Sequence, residues 1–217
     1  MKKNYNMNID FLRIIFAFSI LLIWFLEGKS QVNKIQKFRK LYYPEKIWII
    51  THPFLIFKTM RISETVQKIA KEMEKDNDLD KDGNGGALDA FRHAFWMASL
   101  SQKIRKRAVR KLGIAHEKGN KIDFEKRKLE DGTIPDKISS EMDLKNNEIG
   151  IEIGYKNKNK TKEELIILIK DAVFYGKLWK IKKNKNGSFL DKNNKIISKK
   201  DLRGKWENNK VLIKTNE

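Results

Sequence analysis

The strongest constraint on this chain lies between Ala87 and Leu112, a stretch without glycine or proline in which apolar residues recur at helical spacing. At 100° per residue, Leu88, Phe91, Ala94, Phe95 and Ala98 share one side, as a core-facing stripe should. Asp89, Arg92, His93 and Trp96 share the other, and Leu100 joins them. A helix with Trp and Leu on its second face is expected to be covered on both sides. The spacing predicts one helix from Ala87 to Leu112, closed by Gly113 as a C-cap.

Enclosure of that second face has a chemical consequence. An unpartnered polar group in a dry setting costs a few kcal/mol, so Asp89 and His93 need companions. At i and i+4 they can pair, which orients the imidazole and raises its basicity. His116 and Glu117 follow the helix and lie near the turn that returns the chain. Asp143, Asn146 and Asn147 sit on a further helix, where Gly150 and Gly154 allow close approach of another backbone. The chain has only three histidines, and His93 and His116 both fall in this set. His52, before Pro53, reads as a helix-end or core residue. Two readings stay open: a satisfied buried network that specifies the fold or binds a partner, and a catalytic or metal pocket. In the second, His93 is a general base oriented by Asp89, with Arg92 beside it. His116, Glu117 and Asp143 then hold a divalent metal or stabilise charge. That is a metal-dependent hydrolase acting on an envelope or competitor-cell component. No Ser or Cys nucleophile motif competes with it.

Three ordered motifs carry a resemblance. Gly85-Gly86-Ala87-Leu88-Asp89-Ala90-Phe91-Arg92-His93-Ala94-Phe95-Trp96, then Ala115-His116-Glu117, then Met142-Asp143-Leu144-Lys145-Asn146-Asn147-Glu148-Ile149-Gly150 are similar to an uncharacterised bacterial domain family. Its members read N-G-x-x-D-A-x-R-H-A-x-W, A-H-E and M-D-x-H-N-N-x-x-G, and the match covers about residues 45 to 180. The family occurs in exported proteins and as a module of larger polypeptides, and is a domain of unknown function, so the resemblance implies no reaction. Lys145 stands where the family has histidine. If that histidine were a ligand or base, this copy would be impaired. Arg92-His93-x-Phe95-Trp96 is also similar to the catalytic helix of prokaryotic phospholipases A2, but those carry Asp after the His where this chain has Ala94.

Asp78-Leu79-Asp80-Lys81-Asp82-Gly83 fits the first half of a calcium loop, and its twelfth position is Asp89. Asp78, Asp80, Asp82 and Asp89 are therefore candidate calcium ligands, although Gly85 replaces the apolar residue expected at position 8. With no cysteine in the chain, disulfides and thiol catalysis are excluded, and any metal must use His and carboxylates.

The remaining segments set the organisation. Lys2, Lys3 and Arg13 precede the apolar run Ile14–Leu26, which has the length of a signal-peptide h-region and falls short of the roughly 20 residues a span needs. Gly28 and Ser30 make a cleavage site, so residues 1–30 read as a signal peptide of an exported, periplasmic or secreted protein. The alternative is an uncleaved anchor. Residues 31–180 read as one helical domain and 181–217 as a basic C-terminal extension. Within the domain, a first helix is expected over Gln31–Tyr43, interrupted by Pro44, and another over Phe54–Lys75. Lys118–Lys137 reads mostly as a loop. Ser140-Glu141-Met142-Asp143 and Thr161-Lys162-Glu163-Glu164 read as capping boxes of helices running to Ile153 and Tyr175. Asn186-Gly187 suggests a hairpin and Val211–Ile213 a strand. The fold class is mainly α: a single helical domain around a buried central helix, with a small C-terminal β element. The net charge of +19 favours anionic partners such as lipid or cell-wall polymer. Lysine is spread through every loop, however, which reads as compositional bias. Nucleic acid is disfavoured because basic and aromatic residues are not interleaved. The run Lys103, Arg105, Lys106, Arg107, Arg110, Lys111 reads as a solvated helix face or a contact for an anionic surface.

Overall fold

The structure, a computed structural model, describes residues 36, 38–75, 78–126 and 134–217. The signal-peptide reading of residues 1–30 lies outside them. The chain divides into two units, 1–41 and 42–217. In the first, the described part of the expected Gln31–Tyr43 helix is helical at Gln36 and Phe38–Lys40. The second unit contains everything that follows.

Its elements are α1 (Tyr43–Thr51), a 3-10 turn (Pro53–Leu55), α2 (Ile56–Met73), α3 (Ala87–Lys103), α4 (Lys106–Glu125), α5 (Lys137–Lys156), α6 (Lys162–Phe174), β1 (Trp179–Ile181), α7 (Lys199–Leu202) and β2 (Leu212–Lys214). The protein is mainly α, and β1 pairs antiparallel with β2 in the register Trp179–Lys214, Lys180–Ile213, Ile181–Leu212. Among the described residues no helix is long and apolar enough to cross a membrane.

α3 is buried along most of its surface, as its two apolar faces require. Leu88, Phe91, Ala94, Phe95 and Ala98 pack with Val66 and Ile69 of α2 and with Leu165, Ile169 and Ala172 of α6. Met97 and Leu100 join a second cluster with Trp48 of α1, Val109 and Leu112 of α4 and Ile151 of α5. The Trp48 indole donates to the Ala108 carbonyl at 2.8 Å, tying α1 to α4. Tyr42 adds a hydroxyl hydrogen bond to Asp123, which, with burial, pushes its pKa up to about 12.

The closest approach is between α3 and α5. A Cβ on Gly150 would lie 2.1 Å from the Ala94 carbonyl oxygen, and one on Gly154 would lie 2.1 Å from that of Ala98. Neither atom can be accommodated, so glycine there is required for the crossing itself. The Ser101 hydroxyl spans the same seam to the Ile151 carbonyl at 2.9 Å. Partners on the two helices rise together in number, so α3 and α5 run in the same direction.

Several local expectations are corrected. The helix from Ala87 does not reach Leu112: the chain is extended at Ile104 and Arg105, and Gly113 lies inside α4 rather than capping a helix. Burial of Ile104 in the second cluster pins that corner, a tertiary effect that no glycine or proline announces. Residues up to Glu125 of the expected loop are helical, and residues 127–133 lie outside the described set. Pro44 opens α1 instead of interrupting a helix, because its missing amide is harmless in a first turn. α5 starts earlier than Ser140, at the Asp136/Ser139 capping box, which leaves Ser140 buried. The Thr161/Glu164 box and the left-handed Gly176 after α6 are as expected. Asn186-Gly187 makes a turn, but it closes only the single bridge Lys183–Phe189, and a second single bridge, Leu190–Ile196, spans the next turn. The ladder of Trp179–Ile181 is completed by Leu212–Lys214.

Residues 181–217 pack back onto the helices. Lys210 and Asn208 bond the Asp136 carboxylate at 2.5 and 2.9 Å, and the Lys137 amide donates to the Trp206 carbonyl. Gly150→Ala is expected to destabilise the protein by ~3 kcal/mol or more, at or beyond the usual overpacking range. Gly83→Ala, whose added methyl meets only Leu88 at 4.0 Å, should stay within about 0.5 kcal/mol. Urea denaturation of both variants measures the difference.

Candidate functional site

The parallel α3–α5 seam decides what faces what. Asp89, Arg92 and His93 share a face of α3 at i, i+3 and i+4. One and two turns before Gly150, α5 presents Asn147 and Asp143 to that face. Nε2 of His93 lies 3.5 Å from Oδ1 of Asp89 and 3.4 Å from Oδ1 of Asp143. One ligand atom from each of these three residues falls within 4.8 Å of the other two. All are deeply buried: Asp89 and Asp143 are 5% exposed, His93 4% and Asn147 3%.

The centre is charged as well as buried. Nη2 of Arg92 donates to Oδ1 of Asp89 at 2.7 Å and stands 3.4 Å from Nε2 of His93. With a side chain 34% exposed, Arg92 forms the boundary between the centre and solvent. On the outer side it lines a shallow cavity with Lys81, Asn84, Leu88 and Glu74. The other oxygen of Asp89 accepts from the Gly85 amide at 2.7 Å, made possible by the left-handed Gly85 (φ 84°).

Burial holds the His93 imidazole well below the ordinary histidine range, and the charges of Arg92 and His116 push it the same way. Contact with the Asn147 amide opposes them. The ring is therefore neutral at physiological pH. That amide is close enough to favour a protonated ring, yet neither Nδ1 of His93 nor either polar atom of Asn147 completes a hydrogen bond. Buried polar atoms of this kind are ordinarily completed by a partner such as an ordered water.

The second sequence motif supplies the flank. His116 sits edge-on to Trp96 (5.3 Å between ring centroids) and 6.5 Å from His93. Its Nδ1 is 3.3 Å from Oε1 of Glu45. Sequence reasoning missed Glu45, because its role depends on α1 crossing α4. The local signal was only an acid in the first turn of a helix. Glu117 is buried and accepts from Asn120 at 3.1 Å, a second partner unseen in the sequence. Gly113 makes room for Asn147: a Cβ there would lie 3.1 Å from its amide nitrogen.

Two sets of candidate residues fall elsewhere. Asn146 exchanges two 2.9 Å hydrogen bonds with the Trp179 backbone and clamps β1 to α5. Lys145 is exposed, with its ammonium 5.0 Å from the Trp179 ring centroid. Lys145 is thus outside the centre that brings Asp89, His93 and Asp143 together. In the acidic loop, the Asp80 carboxylate accepts from the Ala87 and Leu88 amides at 2.7 and 3.1 Å and caps α3. Asp82 pairs with Lys183, and Asp78 with Lys170 at 2.5 Å. Asp89 faces His93. The four acids of the loop hold the turn and start the helix, and they do not converge as the Asp89–His93–Asp143 group does. The basic run is also divided: Lys106 bonds Glu152 and Arg110 chelates Glu148, while Lys103, Arg105, Arg107 and Lys111 face solvent.

The fold and centre together define a helical domain built around a buried Asp–His–Asp group. The family whose model matches residues 46–177 is described as a domain of unknown function, DUF6973, and the chain belongs to it. No curated protein and no solved structure matches the chain.

Because His93 is neutral when folded and takes up a proton near 6.5 when unfolded, the unfolded state binds more protons below that pH. Stability should therefore fall as pH drops from about 6.5, by up to ~1.4 kcal/mol per pH unit from this group. In His93→Gln the slope should be shallower by that amount, as measured by urea denaturation in chelator at pH 5 to 8.

Proposed function

We propose that this chain is an exported, divalent-cation-dependent hydrolase whose cation is held by Asp89, His93 and Asp143. One observation carries the reading: two carboxylates and a neutral imidazole nitrogen converge in a buried site. Ligands about 2.0–2.2 Å from an ion stand roughly 3.3–3.6 Å apart in tetrahedral coordination. The His93–Asp89 and His93–Asp143 separations of 3.5 and 3.4 Å match that spacing. Electrostatics adds support. Two ionised carboxylates with oxygens within 4.8 Å of each other repel by ~3 kcal/mol or more at an effective dielectric of 20. Arg92 offsets part of this, and a bound cation would offset more. A borderline ion such as zinc or manganese suits one imidazole and two carboxylates.

In this reading His93 is a ligand, and the general base is sought among the flanking groups. His116, partly exposed, paired with Glu45 and 6.5 Å from the His93 ring, is the candidate. Arg92, at the boundary with solvent, suits an anionic group on the substrate. The export signal and the charge of +19 suit an envelope component.

A second reading has its own observation. The centre is only 3–5% exposed, as expected of a polar network that specifies packing or supports a partner surface. Titration calorimetry separates the two. Chelator-treated protein should bind one equivalent of zinc or manganese, and its thermal midpoint should rise on loading. Asp143→Asn should weaken binding by ~100-fold or more, beyond the 10–100-fold typical of outer-shell changes. Absence of heat and an unchanged midpoint in the wild-type protein would leave the packing reading.

A further inference from the structure

α6 ends in two adjacent aromatic side chains on the surface. Phe174 is 74% and Tyr175 64% exposed. Their rings meet edge to face, with centroids 5.2 Å apart and planes at 84°. The chain turns at the left-handed Gly176 and passes exposed Lys177 into β1. There the ammonium groups of Lys214 and Lys145 lie 3.8 and 5.0 Å from the Trp179 ring centroid. β2 holds the corner in shape: Trp179 pairs with Lys214, and the Thr215 hydroxyl donates to the Val173 carbonyl at 2.5 Å. Phe174, Tyr175 and Lys177 thus lie within five residues of Trp179, whose ring carries Lys145 and Lys214, with no part in the Asp–His–Asp centre.

We infer that this corner is an interfacial docking surface for an anionic lipid bilayer. The residue types are those that settle at a membrane–water boundary, where an aromatic body meets acyl chains and a lysine stem reaches the headgroups. Exposed aromatics without a core role mark an interaction site, and the lysines around them complement anionic headgroups. The same geometry disfavours stacking on single-stranded nucleic acid. Two ammonium groups cover the Trp179 ring, and the perpendicular Phe174 and Tyr175 rings offer no parallel platforms. Exposed Asp171 and Glu163 higher on α6 confine the contact to the tip, because acids are repelled from such a surface. Lys145 contributes a charge to this surface.

The absence of native cysteine allows a direct test on the full chain. Tyr175→Cys carries an environment-sensitive fluorophore, and Glu163→Cys is the control on the same helix. Vesicles contain phosphatidylcholine alone or with phosphatidylglycerol. The label at position 175 should shift to the blue with anionic vesicles only, and the label at 163 should not. Adding Lys145→Gln or Lys214→Gln should weaken the response about fivefold per lysine. Adding Phe174→Ser should abolish it while the circular dichroism spectrum is retained. No shift at 175, an equal shift with neutral vesicles, or an equal shift at 163 overturns the inference. So does displacement of bound vesicles by a single-stranded oligonucleotide that contacts the same label.

Discussion

Everything in the second unit depends on the direct contact of two helix backbones, Gly150 on Ala94 and Gly154 on Ala98. Side chains of even one carbon would separate α3 from α5 there. The loss would be more than dispersion energy, because the same seam sets the register of all that lies before it. One and two turns N-terminal to Gly150, Asn147 and Asp143 reach His93 and Asp89 only because the helices touch and run in the same direction. The centre is a consequence of the crossing, and its geometry is as stiff as the packing that makes it.

That stiffness has an electrostatic cost. Two acids, one imidazole and an arginine share a volume from which water is largely excluded, and His93 responds by giving up its proton. Asp89 illustrates the compromise. One oxygen is held by the Gly85 amide and the other by Arg92, so a residue in the first turn of α3 supports the helix and faces the centre at once. Asn147 and Nδ1 of His93 are left with unfinished hydrogen bonding.

Much of this was legible in the sequence. The period of Leu88, Phe91, Ala94, Phe95 and Ala98 identified the core helix, and Trp96 and Leu100 on the other face implied cover on both sides. Both helices carry i, i+4 pairs, and the glycines at 150 and 154 announced a close approach. Thr161/Glu164 and Gly176 marked both ends of α6, because capping is local chemistry. The turn at 104–105 was not legible, since burial of Ile104 rather than a breaker residue makes it. α5 starts at Asp136 rather than at Ser140, held by the local Asp136/Ser139 box and by Asn208 and Lys210 packed against the Asp136 carboxylate.

The sequence by itself determined which polar residues are paired: period and spacing place Asp89 with His93 and Asp143 with Asn147, each pair within one helix. It also determined that this protein is mostly helical, with a strongly basic surface. Only the tertiary structure decided that the two pairs meet, that Asn146 turns away to clamp β1, and that Lys145 joins Trp179 at the surface. It also drew Glu45 to His116 from 71 residues away. The reason is physical: neighbours on one helix are set by its pitch, whereas neighbours across helices depend on how closely two backbones can approach.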